Sequence, residues 1–284
     1  MCNKSELFNI SGILVTILSV ISLISSLIII SLYFIYKDIR GISMQILMCI
    51  SITDLFRCIF LIFPSDWYEQ ENLCQISAIV VESSLTSNAV WSIYIMFILK
   101  QLYSYHPDKP KLYFKTWLVI GFVLAPIFQV LPMITDSYGP NQGICTYKND
   151  DVGVIWRTIQ QSLVMACITG CLVLYYRIFI KLRRLKILTW KEMVFEKGMS
   201  YSIIFFIILF LINIHRFSEN YLNYCENYTF SLVSYTALSL HGFLDFSAMF
   251  LNKNFRPFIL AFFQCKKLEP SISINYLDLL ENKV

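Results

Sequence analysis

Ionisable and amide side chains interrupt several long apolar stretches of this chain, and they are the residues whose types could do chemistry. Asp54 lies inside one stretch, and Arg57 follows three residues later on the same helical face. One interpretation is a local ion pair that neutralises two costly charges. The other is that Asp54, Asn88 and Asp245 surround a polar, water-filled centre, a sodium or proton site that biases helix packing.

A second set of polar residues lies near the outer ends of the apolar stretches. Its members are Arg57, Glu82, Arg157, His215 and Arg216. If they converge, they line a pocket with both signs of charge, which suits a small polar or anionic ligand. The alternative is that Arg157 and Arg216 extend to lipid phosphates. His215, beside Arg216, fits a pocket-rim residue better than a metal ligand.

The sequence contains no arrangement that is typical of catalysis. Its three histidines are His106, His215 and His241, and it has no nucleophile elbow, no phosphate-binding glycine loop and no metal-ligand spacing. We therefore predict that the protein is not an enzyme, holds no cofactor or metal, and has no nucleic-acid partner. The last apolar stretch has no lysine, which argues against a retinal Schiff base.

The apolar stretches that must position these residues define the class of protein. Of 284 residues, 57% are hydrophobic and only 15% are charged, which is far from the balance of a soluble domain. We predict an all-α polytopic membrane protein, a bundle of seven spans within residues 10–252, after an N-terminal segment of residues 1–9. The spans are Ile10–Tyr36, Ser43–Phe63, Cys74–Tyr105, Tyr113–Met133, Val154–Ile180, Met199–Phe217 and Thr229–Leu251.

The segment after the seventh span has two parts. Residues 253–265 are typical of a short amphipathic helix on the membrane surface, and residues 266–284 form a polar tail. Cys265 lies beside two phenylalanines and two lysines at the end of that helix, a pattern that suits palmitoylation.

Basic residues indicate how the spans are oriented. They concentrate in the segments after the first, third, fifth and seventh spans, so we predict a plasma-membrane protein with its N-terminus outside and its C-terminus in the cytoplasm. The three sequons, at Asn3, Asn9 and Asn227, fall on the predicted outer side, where N-glycosylation occurs.

Two of the nine cysteines are predicted to form a disulfide. Cys74 and Cys145 both lie in outer segments, an oxidising compartment, and a bridge would tie the loop before the fifth span to the third span. Cys225 also lies outside and either pairs with Cys2 or is a free thiol.

Five short motifs together resemble a known family. In order and spacing the chain is similar to the seven-helix G-protein-coupled receptors, most closely to the cyclic-AMP-receptor-like group, over residues 10–263. The motifs are Ser51-Ile52-Thr53-Asp54-Leu55, Cys74-Gln75, Tyr138-Gly139 with Cys145, Ile214-His215-Arg216 and His241-Gly242-Phe243-Leu244-Asp245. This resemblance implies a cell-surface receptor that binds an extracellular small ligand and signals to a heterotrimeric G protein. It also implies a contact between the G protein and the basic loop, through Lys181, Arg183, Arg184 and Lys186, a loop that faces anionic lipid as well.

The chain departs from the family's patterns at three places. Leu99-Lys100-Gln101 stands where rhodopsin-like receptors have Asp-Arg-Tyr, His215 stands where the group has asparagine, and Asp245 and Met249 stand where it has asparagine and tyrosine. Two alternatives therefore stay open: a receptor-like protein that has lost G-protein coupling, and a small multi-span transporter. The sequence has neither the internal repeat nor the paired broken helices that a transporter would favour.

Overall fold

The computed structural model describes residues 4–63, 70–102, 113–141, 144–185, 199–218 and 224–264. They are mostly helical, with one small sheet. A 3-10 turn (Lys37–Ile39) precedes α2, and a π-helical turn (Ile120–Leu124) joins α4 to α5. The strands are β1 (Tyr138–Asn141) and β2 (Ile144–Tyr147). The helices are α1 (Lys4–Ile35), α2 (Ile42–Ile62), α3 (Glu71–Leu102), α4 (Phe114–Val119), α5 (Ala125–Ile134), α6 (Asp151–Leu185), α7 (Met199–Ser218), α8 (Tyr224–Ser239), α9 (His241–Leu251) and α10 (Arg256–Phe263).

Four helical segments are long and apolar enough to cross a membrane: Ser11–Ile35, Ile42–Ile62, Phe114–Ile134 and Asp151–Ile178. Within the described residues, helices also occupy the other three stretches that were predicted to span. The chain is therefore a helical membrane protein.

The outer surface of the bundle is apolar, as a lipid environment requires. On α1, Ile13 and Phe34 are 63% and 65% exposed, and Leu172 and Tyr176 are similarly exposed on α6. The buried polar residues lie inside instead, since polar side chains facing hydrocarbon are costly.

Helix α3 lies at the centre of the bundle. It contacts α2, α5, α6, α7 and both strands. Every residue from Glu82 to Ala89 is buried, and Trp91 and Tyr94 are fully enclosed. The polar load that marks α3 in the sequence therefore faces protein rather than lipid.

Gly121, in the π turn, allows α3 to approach closely. A Cβ atom at this position would lie 2.8 Å from Trp91 Cζ2. The Ser87 hydroxyl donates to the Gly121 carbonyl oxygen at 2.7 Å. Pro126 is the second residue of α5, directly after the π turn.

A β-hairpin, which the all-α prediction did not include, covers one end of α3. Its strands are antiparallel, with Tyr138 opposite Tyr147 and Pro140 opposite Cys145. Cys145 forms the predicted disulfide with Cys74 near the start of α3, with their Cα atoms 5.2 Å apart. The hairpin is thereby fixed to α3 by a covalent bond.

The described chain ends with two short helices, α9 and α10, and each follows an interruption of the helical backbone. Helix α8 ends at Ser239 and α9 begins at His241, where the Gly242 N–H donates to the Ser22 hydroxyl of α1 at 2.9 Å. Helix α10, the core of the predicted surface helix, buries Phe258 and Ile259 and exposes Leu260 and Phe263. Both its buried and its exposed side carry apolar residues, and its place on a membrane surface stays a prediction.

Candidate functional site

Buried polar side chains gather in two clusters, both built around α3. We call the one beneath the strands the hairpin cluster: Glu82, Gln129, Tyr138, Thr146, Tyr147, Gln160 and Arg216. The core cluster lies between α2, α3 and α9: Thr53, Asp54, Arg57, Asn88, His241 and Asp245. Glu82 and Asn88 are separated by about 9 Å along the axis of α3 and by about 120° around it. They therefore face different neighbours.

The Glu82 carboxylate is the centre of the hairpin cluster. Thr146 Oγ1, on β2, donates to Oε1 at 2.8 Å, and Gln160 Nε2, on α6, donates to Oε2 at 2.9 Å. Arg216, near the end of α7, donates to both carboxylate oxygens, with NH1 3.1 Å from Oε2. A two-pronged guanidinium–carboxylate pair of this kind is strong and directional. One side chain thus joins α3, α6, α7 and the hairpin.

Two tyrosines of the hairpin extend this network to α5. The Tyr138 hydroxyl donates to the Gln129 carbonyl oxygen at 3.0 Å, and the Tyr147 hydroxyl contacts Gln129 Oε1 at 2.9 Å and also Gln160 Oε1. Burial raises the pKa of both Tyr138 and Tyr147, so each phenol stays protonated and acts as a donor. Gln129 Nε2 donates in turn to Thr86 of α3.

An exposed ion pair closes the outer edge of the hairpin. Lys148 Nζ donates to Asp136 Oδ2 at 2.7 Å, and Gln75 donates to the other oxygen at 3.2 Å. The hydrogen bond from Lys148 holds the pKa of Asp136 below its usual value. Asp136 has a φ of 50°, the left-handed conformation that aspartate tolerates better than most residues.

Asp54 is the centre of the core cluster. Asn88 Nδ2 donates to its Oδ1 at 2.9 Å, and Arg57 NH2 lies 2.8 Å from the same oxygen. His241 Nδ1 lies 2.7 Å from Oδ2. Both carboxylate oxygens of Asp54 are therefore occupied by side chains of the protein.

Asp245 has fewer polar partners than Asp54. Its Oδ2 lies 3.8 Å from His241 Nε2, beyond hydrogen-bonding distance. Neither carboxylate oxygen of Asp245 has a hydrogen-bond partner among the described residues, although the side chain is only 1% exposed. His241 Nε2 also lacks one there, and the imidazole packs edge-on against the Phe205 ring.

The five residues predicted to line one pocket converge only in part, and Arg157 and Arg216 are close enough to His215 for an electrostatic interaction. Glu82 and Arg216 pair with each other, but Arg57 belongs to the core cluster. Arg157 donates to the Lys148 carbonyl oxygen at 3.1 Å and to Asn149, while His215 packs edge-on against the Tyr235 ring.

The alternative that Arg157 and Arg216 extend to lipid phosphates is also wrong. Arg157 is only 2% exposed and Arg216 only 6% exposed, because protein acceptors hold both guanidinium groups inside the bundle.

The predicted polar centre is present in part, together with the predicted local ion pair. Asp54 and Asn88 are in direct contact, and Asp245 lies 3.8 Å from His241, which contacts Asp54 and was not predicted as a site residue. The spacing of His241 and Asp245, one helical turn apart, was the signal that could have found it. Gln129 and Gln160, amides inside apolar stretches, carried a similar signal.

The remaining predicted sites stay predictions. Asn9 lies in α1, Asn227 and Cys225 lie in α8, and Lys181, Arg183 and Arg184 lie in the last turns of α6. The others lie outside the described residues: Cys2, Asn3, Lys186 and Cys265.

Two open grooves lie on the outer face of α6. One is lined by Phe128, Val154, Ile159 and their neighbours, and the other by Leu172, Val173, Tyr176 and theirs. Both are almost wholly apolar, and neither includes a member of the two polar clusters. We interpret them as lipid-facing surface.

No family model matches the chain, and a search of the curated proteins found no match.

Proposed function

We propose that this chain is a seven-span cell-surface receptor that binds a small polar or anionic ligand on its hairpin side and signals to a heterotrimeric G protein. Seven helical stretches, the distribution of basic residues and the family resemblance support this topology. In this topology the hairpin lies outside the cell, and the end of α6 with Lys181, Arg183 and Arg184 lies in the cytoplasm.

One observation carries the proposal: the Glu82 carboxylate links the hairpin to three helices. Thr146 connects it to a segment that an external ligand reaches first, and Arg216 connects it to α7. A ligand with an anionic group would compete with Glu82 for the Arg216 guanidinium. That competition would separate α7 from α3 at this end of the bundle.

Separation of α7 from α3 is the packing change that would signal. A ligand shifts a helix equilibrium only by the difference in its affinity for the two packings, and a buried ion pair that exists in one packing supplies such a difference. A G protein would then select the rearranged state from the cytoplasmic side. The contacts must differ from those of rhodopsin-like receptors, because the inner end of α3 reads Leu99-Lys100-Gln101.

A screen of small anionic ligands, with guanine-nucleotide exchange on G protein as the readout, tests the proposal. The full chain is expressed beside the Arg216→Lys variant, which keeps the charge and loses the two-pronged geometry. We expect ligand-dependent exchange that weakens by at least about tenfold in the variant, the loss of one strong hydrogen bond. Solute flux through the protein without any nucleotide exchange would instead identify a transporter. The absence of both activities would indicate a receptor-like protein that has lost G-protein coupling.

A further inference from the structure

The core cluster is short of one positive charge. Asp54 and Asp245 are carboxylates, Arg57 is the permanent cation, and Thr53 and Asn88 are neutral. With a neutral His241 the cluster would carry one uncompensated negative charge among residues that are 0–6% exposed. A buried charge without a partner is strongly destabilising, so a cation must complete the cluster.

The unsatisfied carboxylate oxygens show where the missing positive charge belongs, since the unsatisfied atoms of Arg57 and His241 are nitrogens. Asp54 has contacts at both oxygens, whereas Asp245 has none within hydrogen-bonding distance among the described residues. His241 Nε2 lies 3.8 Å from Asp245 Oδ2, and it is equally unsatisfied. Both groups belong to α9, one turn apart.

A metal ion fits this arrangement poorly. A divalent ion would turn a deficit of one charge into an excess of one, close to the Arg57 guanidinium. Sodium and other hard cations take several oxygen ligands, and among the described oxygens named around the pair only those of Asp245 and the Ser26 hydroxyl lack a partner. A proton supplies one positive charge and needs to bind only one atom, either His241 Nε2 or an Asp245 carboxylate oxygen.

We propose that His241 and Asp245 hold one exchangeable proton between them, and that this proton is the cation that completes the core cluster. With the proton bound, the six side chains sum to zero charge. When it leaves, Asp245 remains as an uncompensated carboxylate inside the bundle. This inference does not depend on the receptor proposal.

Few of the described groups around His241 and Asp245 are charged. From α2 the facing groups are Asp54, Arg57 and the Cys58 thiol. The other packed elements contribute neutral groups: the Ser22 and Ser26 hydroxyls from α1, the Asn88 amide from α3 and the Phe205 ring from α7. Among the described residues, no nearby group compensates for release of the proton, so release should loosen the packing of α9 against α1 and α2.

The direction of the pH effect follows from this balance. Folding favours the proton-bound form, so the stabilisation is complete at acidic pH and is lost as the pH rises and the proton leaves. The thermal unfolding midpoint of the full chain in lipid nanodiscs should fall by at least roughly 5 °C across the alkaline side of the titration.

Asp245→Asn is the decisive variant, because the amide has the same shape and needs no proton. Its unfolding midpoint should lose this alkaline fall. Asp136→Asn, which removes an exposed carboxylate of the hairpin edge, should keep the wild-type profile. An Asp245→Asn profile with the wild-type fall would overturn the proposal.

Infrared spectroscopy of the wild-type protein gives a test that does not need a stable variant. A pH-difference spectrum should show one protonated carboxyl or imidazolium signal that is lost on alkalinisation, and His241→Gln should leave only the carboxyl signal. Absence of both signals would contradict the proposal. So would stabilisation by sodium or zinc at fixed pH that Asp245→Asn abolishes, since a metal would then be the missing cation.

Discussion

Glu82 accepts hydrogen bonds from three side chains on three different elements, and its removal should be costly. Glu82→Gln keeps the shape but leaves the Arg216 guanidinium buried without a carboxylate, a loss of about 3–5 kcal/mol. We expect a lower thermal unfolding midpoint in detergent, together with altered basal nucleotide exchange if the receptor proposal holds.

The double variant Glu82→Gln with Arg216→Met is the internal control. It removes both charges and keeps most of the side-chain volume, so it should be more stable than Glu82→Gln alone. Asp136→Asn, at an exposed ion pair, should change the midpoint little because water screens that pair. A double variant that is no more stable than the single one would contradict the ion-pair account.

The cost of burying polar groups in an apolar stretch allowed many cluster members to be predicted from the sequence. Glu82, Asp54, Asn88, Asp245 and Arg216 were all identified in this way. Their partners could not be predicted, because each residue turns a helix by about 100° and a small error in rotation changes which neighbour a side chain meets. For this reason, whether Arg57 pairs with Asp54 in its own helix was left open.

At the scale of elements, the close contact between the π turn and α3 depends on Gly121, which has no side chain. Gly121→Ala would place a Cβ atom 2.8 Å from the Trp91 ring, which is fully buried and cannot move aside. The expected loss of stability is about 1–3 kcal/mol. Thermal unfolding of the purified variant measures it.

Gly170→Ala provides a matched comparison, since nothing lies within 4 Å of a Cβ atom at Gly170 in α6. Alanine favours a helix over glycine by about 1 kcal/mol, so this variant should be neutral or slightly more stable. Equal destabilisation of the two variants would show that close packing at Gly121 is not the cause.

The hairpin shows why one element could not be predicted. Its strands are four residues each, at the short limit for strands, and the first contains Gly139 and Pro140, which are typical of turns. The pairing with β2 is supported by the Cys74–Cys145 disulfide and by hydrogen bonds from Tyr138 and Tyr147 to Gln129. The disulfide was predicted from the two cysteines, but no local pattern indicates the hydrogen bonds to Gln129, so the pairing of the strands could not be predicted.

At the scale of the whole molecule, composition and apolar length were sufficient to predict a helical membrane protein with helices at the observed positions. The number of spans and their orientation depend on a further argument. Each loop between spans must lie on one side, and lysine and arginine favour the cytoplasmic side. In the predicted orientation the hairpin lies on the opposite side from those basic loops, in an oxidising compartment where the Cys74–Cys145 disulfide can form.

The seven predicted spans would put the two termini on opposite sides of the membrane, and this prediction is directly testable. In intact cells an epitope tag before Met1 should bind antibody, and a tag after Val284 should bind only after permeabilisation. Glycosidase treatment should increase gel mobility, and the shift should diminish when Asn3 and Asn227 are replaced by glutamine, because N-glycans are added only to outer segments. A sequon introduced between residues 186 and 198 is the negative control. Antibody access to both termini in intact cells would require an even number of spans and would remove the receptor topology together with its proposed G-protein contact.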